Sequence, residues 1–152
     1  IATKAPRAQD IDLTGLSIQW LDDSGTYHLV HDKVYDGQDG AFDHIAVKDE
    51  DGSLDPSGSA PVINSPDDRA RLVIDLAADD TGAELDGSVL FDQNSNDNDY
   101  GGTDESHMIR TPSNPLPEGA NAQLRITTQS GATSTLRLTV PTSLSGKSAA
   151  SL

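Results

Sequence analysis

Apolar and polar residues alternate most regularly near the end of the chain, in two runs separated by a polar, glycine-containing segment. The alternating apolar positions are Ala122, Leu124, Ile126, Leu136, Leu138 and Val140. A period of two places one row of side chains in a core and the other row in solvent. Residues 129–132 contain Gly131, which suits the tight loop of a hairpin. The pattern therefore predicts a β-hairpin whose apolar residues face inward.

Shorter alternating runs predict further strands at residues 16–20, 27–30, 42–47, 71–76 and 88–91. A turn at residues 22–25 joins the first two runs, and Ser65 followed by Pro66 predicts a helix of one turn. Short strands without a long helix indicate a single all-β domain over residues 1–152. We expect an antiparallel β-sandwich, immunoglobulin-like, with at most one or two single-turn helices. Residues 92–117 are rich in Asn, Asp, Gly, Ser and Pro, which is typical of a surface loop or insertion.

The chain is strongly acidic. Its 25 acidic residues, of which 21 are aspartate, face 10 basic ones, and the formal net charge is −15. So much like charge destabilises a small domain in dilute buffer, whereas molar salt shortens the Debye length to about 3 Å. The composition therefore predicts a halophilic protein with an acidic surface, and a cation-binding surface is the alternative. No basic patch is present to neutralise phosphates, so the sequence predicts no nucleic-acid partner.

The sequence also limits the covalent chemistry and the membrane contacts that we expect of this chain. It contains no cysteine, which excludes disulfides, Cys-based zinc sites and thiol catalysis. No apolar run approaches the length of a membrane span, so we expect no membrane contact by this chain. The chain begins at Ile1 rather than at a methionine, which suggests a processed or truncated product with an anchor or signal upstream.

The strongest candidate for a binding site lies in the 92–117 loop. Side chains at positions 1, 3, 5 and 12 of a calcium-loop pattern are Asn94, Asn96, Asn98 and Glu105. Position 6 is Asp99 rather than glycine, and no flanking helices are predicted. We therefore interpret the loop as a solvated acidic segment, and weakly bound calcium or other cations are the alternative. The same interpretation applies to the aspartates Asp36, Asp39, Asp49, Asp51 and Asp55.

The histidines and the motif search point away from catalysis. His28, His31 and His44 could hold zinc together, but His28 and His31 are three residues apart and so point to opposite faces of a regular strand. We interpret all three as isolated surface histidines. No G-x-S-x-G motif and no phosphate-binding Gly-Lys loop is present, so we expect no enzyme, no catalytic residue and no cofactor. The sequence also contains no N-x-S/T acceptor for an N-linked glycan.

Several blocks, in their order along the chain, resemble the outer domain of haloarchaeal archaellins, the archaeal flagellins. They are residues 10–13 (DIDL), 18–20 (IQW), Phe42 with 46–49 (AVKD), 60–64 (APVIN), 68–76 (DRARLVIDL) and 124–152, with its ITTQSGATSTLRLTVP hairpin and SLSGKSAASL ending. They cover most of the chain outside residues 77–117. Two features depart from the family: its long N-terminal hydrophobic helix is absent here, and residues 42–45 read FDHI where the family tends to carry a glycan acceptor.

The resemblance implies a structural subunit of the archaellum, whose outer β-domain is extracellular and supports swimming motility. It implies other archaellin subunits as partners in a helical homo- or hetero-polymer, with lateral contacts that depend on salt or bridging cations. The chain alone, without the helix that drives assembly, is expected to be a monomer. The alternative is a secreted or surface adhesin, or a pilin-like binding module, with calcium in the 94–105 loop. The sequence leaves open whether the subunit is a major or a minor one.

Overall fold

The computed structural model describes residues 1–58, 60–74 and 116–142, together with the backbone of 83–85 and 88–90. The strands in these parts are β1 (Ile11–Asp12), β2 (Ser17–Asp22), β3 (Gly25–His31), β4 (Gly40–Lys48), β5 (Val62–Ile63), β6 (Arg69–Ile74), β7 (Ala83–Leu85), β8 (Ser88–Leu90), β9 (Asn121–Thr127) and β10 (Thr133–Thr139). Two single-turn 3₁₀ helices span Leu13–Gly15 and Asp32–Val34. The prediction of an all-β fold with one or two single-turn helices is confirmed. No helix in the described residues is long and apolar enough to cross a bilayer.

Six strands form one curled sheet in the order β10-β9-β2-β3-β4-β6, while β1 pairs with β5 and β7 pairs with β8. All of these pairs are antiparallel except β3 with β4, which run parallel over three residue pairs. We expected antiparallel pairing throughout. The second 3₁₀ helix and residues 35–39 carry the chain back along the sheet before β4 begins, so β4 starts beside the end of β3 in the same direction. Alternation of apolar residues reports which face is buried and is the same for either strand direction.

The core lies between the sheet and the segments that cross it. The sheet contributes apolar side chains from alternating positions. In β2, for example, Ile18 and Trp20 are buried, whereas Gln19 and Leu21 are exposed. The other side comes from outside the six-stranded sheet. Its buried residues are Leu13, Leu16, Leu54 and Ile63. Trp20 keeps its indole N–H satisfied at the edge of this core by donating to Asp22 Oδ2 at 2.8 Å.

The terminal hairpin forms as predicted, with one exception in its outer strand. The loop closes where Gly131, at φ 85°, donates its N–H to the Thr128 carbonyl at 2.9 Å. Ala122 and Leu124 are buried, but the expectation that Leu136 faces into the core is wrong, because 47% of it is exposed. Leu136 stands opposite Leu124 in register. It is exposed because β10 is the edge strand of the sheet, where no described segment covers it.

The helix predicted at Ser65 is a turn. The Ser65 hydroxyl does accept the Asp67 N–H at 3.2 Å, as an N-cap would, but β6 begins at Arg69 and leaves no room for a helical turn. The buried Asp68 carboxylate turns back instead and accepts the N–H groups of Asn64 and Ser65 at 3.0 and 2.7 Å. The N-cap sequence favours a helix only locally, and the pairing of β6, which begins three residues after Pro66, prevents the helix from forming.

Two leucine truncations test this placement of the core. We expect Leu54→Ala to lower the free energy of unfolding by about 2–5 kcal/mol, because Leu54 is fully buried and its loss leaves a cavity. Leu136→Ala makes the same chemical change at an exposed site and should cost about 0.5 kcal/mol or less. Urea unfolding of both variants at one fixed high salt concentration measures the difference. Equal losses would mean that β10 is covered as the alternation alone predicts.

Candidate functional site

The loop between β4 and β5 is organised by one aspartate. Asp49 Oδ1 accepts the N–H groups of Gly52 and Ser53 at 3.0 and 3.1 Å, and Asp49 Oδ2 accepts that of Leu54 at 2.9 Å. Three backbone donors therefore converge on one carboxylate. This arrangement closes the loop and points the Leu54 side chain into the core, where it is fully buried.

The other acids of this loop make similar contacts. Asp51 accepts from Ser53 N at 3.0 Å and from Asn64 Nδ2 at 2.7 Å, and these hydrogen bonds lower the pKa of Asp51 to about 2. Asp55 accepts from the backbone N–H and hydroxyl of Ser57 at 2.8 and 2.7 Å, which lowers its pKa as well. Although Asp51 and Asp55 are exposed, both oxygens of Asp51 and Oδ1 of Asp55 accept hydrogen bonds from the protein. That they are not cation ligands stays a prediction.

The remaining acidic candidates are separate from this loop. Asp39 Oδ2 accepts the His28 N–H at 2.8 Å, and the Asp36 N–H donates to Gln38 Oε1 at 2.7 Å. Both contacts belong to the connection between β3 and β4. The calcium candidates Asn94, Asn96, Asn98 and Glu105 lie outside the described residues.

Two of the three histidines meet inside the core, which corrects the expectation that all are isolated surface residues. His28 is exposed, but His31 is fully buried and His44 is 1% exposed. The two rings approach with His31 Nε2 and His44 Nδ1 3.0 Å apart. The alternation held a signal for this: His31 follows Leu29 by two residues and His44 follows Phe42 by two, so each shares a face with a core residue. Only the pairing of β3 with β4 brings them together.

The hydrogen bonds around the two rings assign a tautomer to each. The Lys33 N–H donates to His31 Nδ1 at 3.1 Å, so the His31 proton is on Nε2. His31 Nε2–H then donates to His44 Nδ1, and His44 Nε2–H donates to the Leu54 carbonyl at 3.0 Å. All four ring nitrogens are matched while both histidines are neutral. Protonating either ring would place two donors face to face in a dry site.

The charges around the pair act in opposite directions. Burial is the largest effect on His31 and lowers its pKa to about 4, although the nearby Asp43 carboxylate opposes that change. Asp43 Oδ1 lies 3.3 Å from His44 Nδ1, and it also accepts the His44 backbone N–H at 2.6 Å. Burial raises the pKa of Asp43, but the hydrogen bond from the His44 backbone N–H favours the carboxylate, and that pKa is lowered.

This cluster is a poor catalytic centre in spite of its acid and base groups. A general base has to come within hydrogen-bond reach of a substrate proton. His31 and His44 are buried away from solvent. The Phe42 ring packs edge-on against His31 with the ring centroids 5.3 Å apart, and Leu54 contacts His44 through its carbonyl. The geometry therefore supports a structural role for the histidine pair.

The uncovered edge of the sheet is the other notable feature. The N-terminal segment protects the opposite edge, where Ala2 and Ala70 exchange backbone hydrogen bonds at 2.7 and 3.1 Å beside β6. Among the described residues, no strand pairs with the outer side of β10. Leu136 and Arg137 are exposed there, so an apolar and a basic side chain stand on a predominantly acidic protein.

Comparison with known proteins identifies the architecture. No protein-family model matches the chain, and no curated protein is significantly similar to it in sequence. Among solved structures, it is similar to the crystal structure of archaeal flagellin FlaB1 from Methanocaldococcus jannaschii. The TM-score is 0.51 at 14% identity, covering 93% of this chain and 76% of that chain. At this identity the likeness establishes an archaellin-like fold, and that structure is of a flagellin rather than an enzyme.

Because His31 is buried in its neutral form, we expect the free energy of unfolding to decrease at acidic pH. The folded-state pKa of His31, about 4, lies below its ordinary value of 6.5, so the unfolded chain takes up the proton first as the pH falls. The stabilisation from neutral His31 is therefore complete above pH 6.5 and is lost as the pH falls toward 4, by roughly 3 kcal/mol in all. Urea unfolding across this range at fixed high salt measures the slope.

Two variants separate this effect from the titration of other groups. His31→Gln removes the ionising ring and should flatten the dependence of unfolding free energy on pH within this window. His28→Gln removes an exposed histidine and should leave the slope unchanged. A slope that survives His31→Gln undiminished would contradict the assignment.

Proposed function

We propose that this chain is the outer β-domain of a haloarchaeal archaellin, a structural subunit of the archaellum filament that supports swimming. The observation that carries the proposal is the similarity in fold to an archaeal flagellin over 93% of the chain. The ordered sequence blocks that resemble haloarchaeal archaellins support it independently. They include the terminal hairpin, whose two strands form the β10 edge of the sheet.

The architecture suits a domain on the outside of a polymer. A filament needs one surface patch to contact a different patch on the next subunit, repeated without closing into a ring. One sheet with two chemically different edges offers such unlike surfaces: the β6 edge is partly paired by Ala2, and the β10 edge exposes Leu136. The partners in this proposal are other archaellin subunits, and the location is extracellular.

Charge sets the conditions under which such subunits can associate. The chain has 25 acidic and 10 basic residues, so acidic residues outnumber basic ones by 15. Ion pairs in the described residues include Lys4 with Asp10 at 2.6 Å, while Lys48 approaches both Glu50 and Asp67 at 3.6 and 3.5 Å. Neighbouring subunits therefore repel each other unless salt screens them. Such a requirement for salt is what we expect of a protein adapted to strong brine.

Immunogold electron microscopy tests the location. Antibody against this domain should label thin helical surface filaments of the source cells along their whole length. Cells from which the gene has been deleted provide the control and should be unlabelled and non-swimming. Label confined to filament tips, or spread over the envelope, would reject the filament-subunit proposal in favour of an adhesin.

Salt titration tests the role of the acidic surface. Isolated filaments should dissociate progressively as sodium chloride falls below about 1 M, because the Debye length then grows and repulsion between subunits returns. Sedimentation of the filaments, with sucrose replacing the omitted salt in a parallel series, separates screening from osmotic effects. Filaments that stay intact in dilute buffer would contradict the expectation.

A further inference from the structure

Three potential ligand atoms converge beside the β3–β4 pairing. His31 Nε2 lies 3.0 Å from His44 Nδ1 and 3.8 Å from Asp43 Oδ1, and the last two atoms are 3.3 Å apart. The cluster joins two neutral imidazoles with one carboxylate, a donor set that zinc and related divalent transition metals bind. His31 and His44 are buried, so the cluster differs from the exposed aspartates of the loops.

The spacing of these atoms matches that around a metal ion. Ligands at about 2.0–2.2 Å in a tetrahedral zinc site are separated from one another by about 3.3–3.6 Å. The mean edge of the triangle formed by His31, Asp43 and His44 is about 3.4 Å, and the point equidistant from its corners lies about 2.0 Å from each. A zinc ion close to that point would reach all three atoms without a large movement of the backbone.

We propose that this chain binds one Zn²⁺ ion, or a similar divalent transition metal, through His31 Nε2, His44 Nδ1 and Asp43 Oδ1. The proposal does not depend on the filament function. It is also separate from the calcium candidates at residues 94–105, which offer only oxygen ligands.

The surroundings of His44 are already those of a metal ligand. Its Nε2–H donates to the Leu54 carbonyl at 3.0 Å, which fixes the tautomer and leaves the Nδ1 lone pair directed at the cluster. A ligating histidine usually donates its second ring N–H to a carbonyl or carboxylate in this way, which orients the ring. The Leu54 backbone is held in turn by Asp49, so the loop acts as the outer support of the site.

His31 has to change its tautomer when the metal binds. Its proton is on Nε2 in the metal-free protein, because the Lys33 N–H donates to Nδ1. Zinc at Nε2 moves that proton to Nδ1, and the Lys33 amide then loses its acceptor. The two N–H groups then face each other, as they do when His31 is protonated, and the three metal–ligand bonds have to outweigh that cost. The change of tautomer also provides a local signature, since the Lys33 amide resonance should shift on metal binding.

Asp43 provides both charge and access. Its carboxylate supplies the one negative charge among the three ligands, and 15% of its side chain is exposed, so an ion can enter from that side. A water molecule there can complete four-coordination. The bound ion would join the end of β3, the middle of β4 and, through His44, the 49–58 loop. This is where the sheet is held by only three parallel residue pairs.

Metal binding is measured on the chain after dialysis against a chelator, in concentrated sodium chloride. Zinc chloride should bind at one ion per chain in the micromolar range and raise the melting temperature. Calcium and magnesium at the same concentration should not, since hard cations prefer oxygen ligands. Cobalt in place of zinc should give the intense visible absorption of a four-coordinate site. Amide spectra should show a shift at Lys33.

Matched variants locate the ion. Asp43→Asn keeps the size of the side chain and should weaken zinc affinity by roughly tenfold or more, as should His44→Gln. His28→Gln removes an exposed histidine and should bind zinc as the unsubstituted chain does. Asp43→Asn keeps both rings and serves as the decisive variant if His44→Gln does not fold. Absence of micromolar binding, or equal binding by Asp43→Asn and the unsubstituted chain, would overturn the proposal and leave a hydrogen-bonded histidine pair only.

Discussion

Short carboxylates that accept backbone N–H groups of nearby residues hold the loops of this protein in place. An aspartate oxygen reaches donors two to five residues away, whereas the longer glutamate side chain does so with a greater loss of conformational freedom. This gives a structural reason for aspartate rather than glutamate at the loop positions where such contacts form, in a chain with 21 aspartates and four glutamates. Contacts of this kind join Asp12 to Thr14, Asp22 to Ser24, Asp49 to Gly52, Ser53 and Leu54, Asp51 to Ser53, Asp55 to Ser57, and Asp68 to Asn64 and Ser65.

The core and the histidine cluster both depend on these loops. Asp49 gathers three N–H groups and so places Leu54 against the sheet. The Leu54 side chain fills the core, and its carbonyl accepts the His44 ring N–H. Because one residue serves both purposes, the packing of the loop and the orientation of the histidine are coupled. Asp43 and His31 then add a charge and a second ring beside the His44 ring.

A domain with a formal net charge of −15 has to remain folded against repulsion between like charges, and the structure separates the two requirements. Among the described residues, most of the charge lies in loops and at the surface, where salt screens it. The two histidines in the core have their ring nitrogens paired through neutral tautomers. The archaellin-like arrangement of the strands supplies the frame for both.

The sequence by itself determined the all-β class, the positions of the main strands and the inward faces of β2 and β9, because these follow from local alternation. It also determined that His28 and His31 point to opposite faces. Tertiary structure alone decided the parallel pairing of β3 with β4, which no local pattern encodes. That pairing brings His31 beside His44, and the position of β10 at the sheet edge exposes Leu136. Alternation with a period of two shows which side chains share a face of a strand. Which strands become neighbours depends on contacts between residues far apart in the chain, and this decides which side chains meet and which remain exposed.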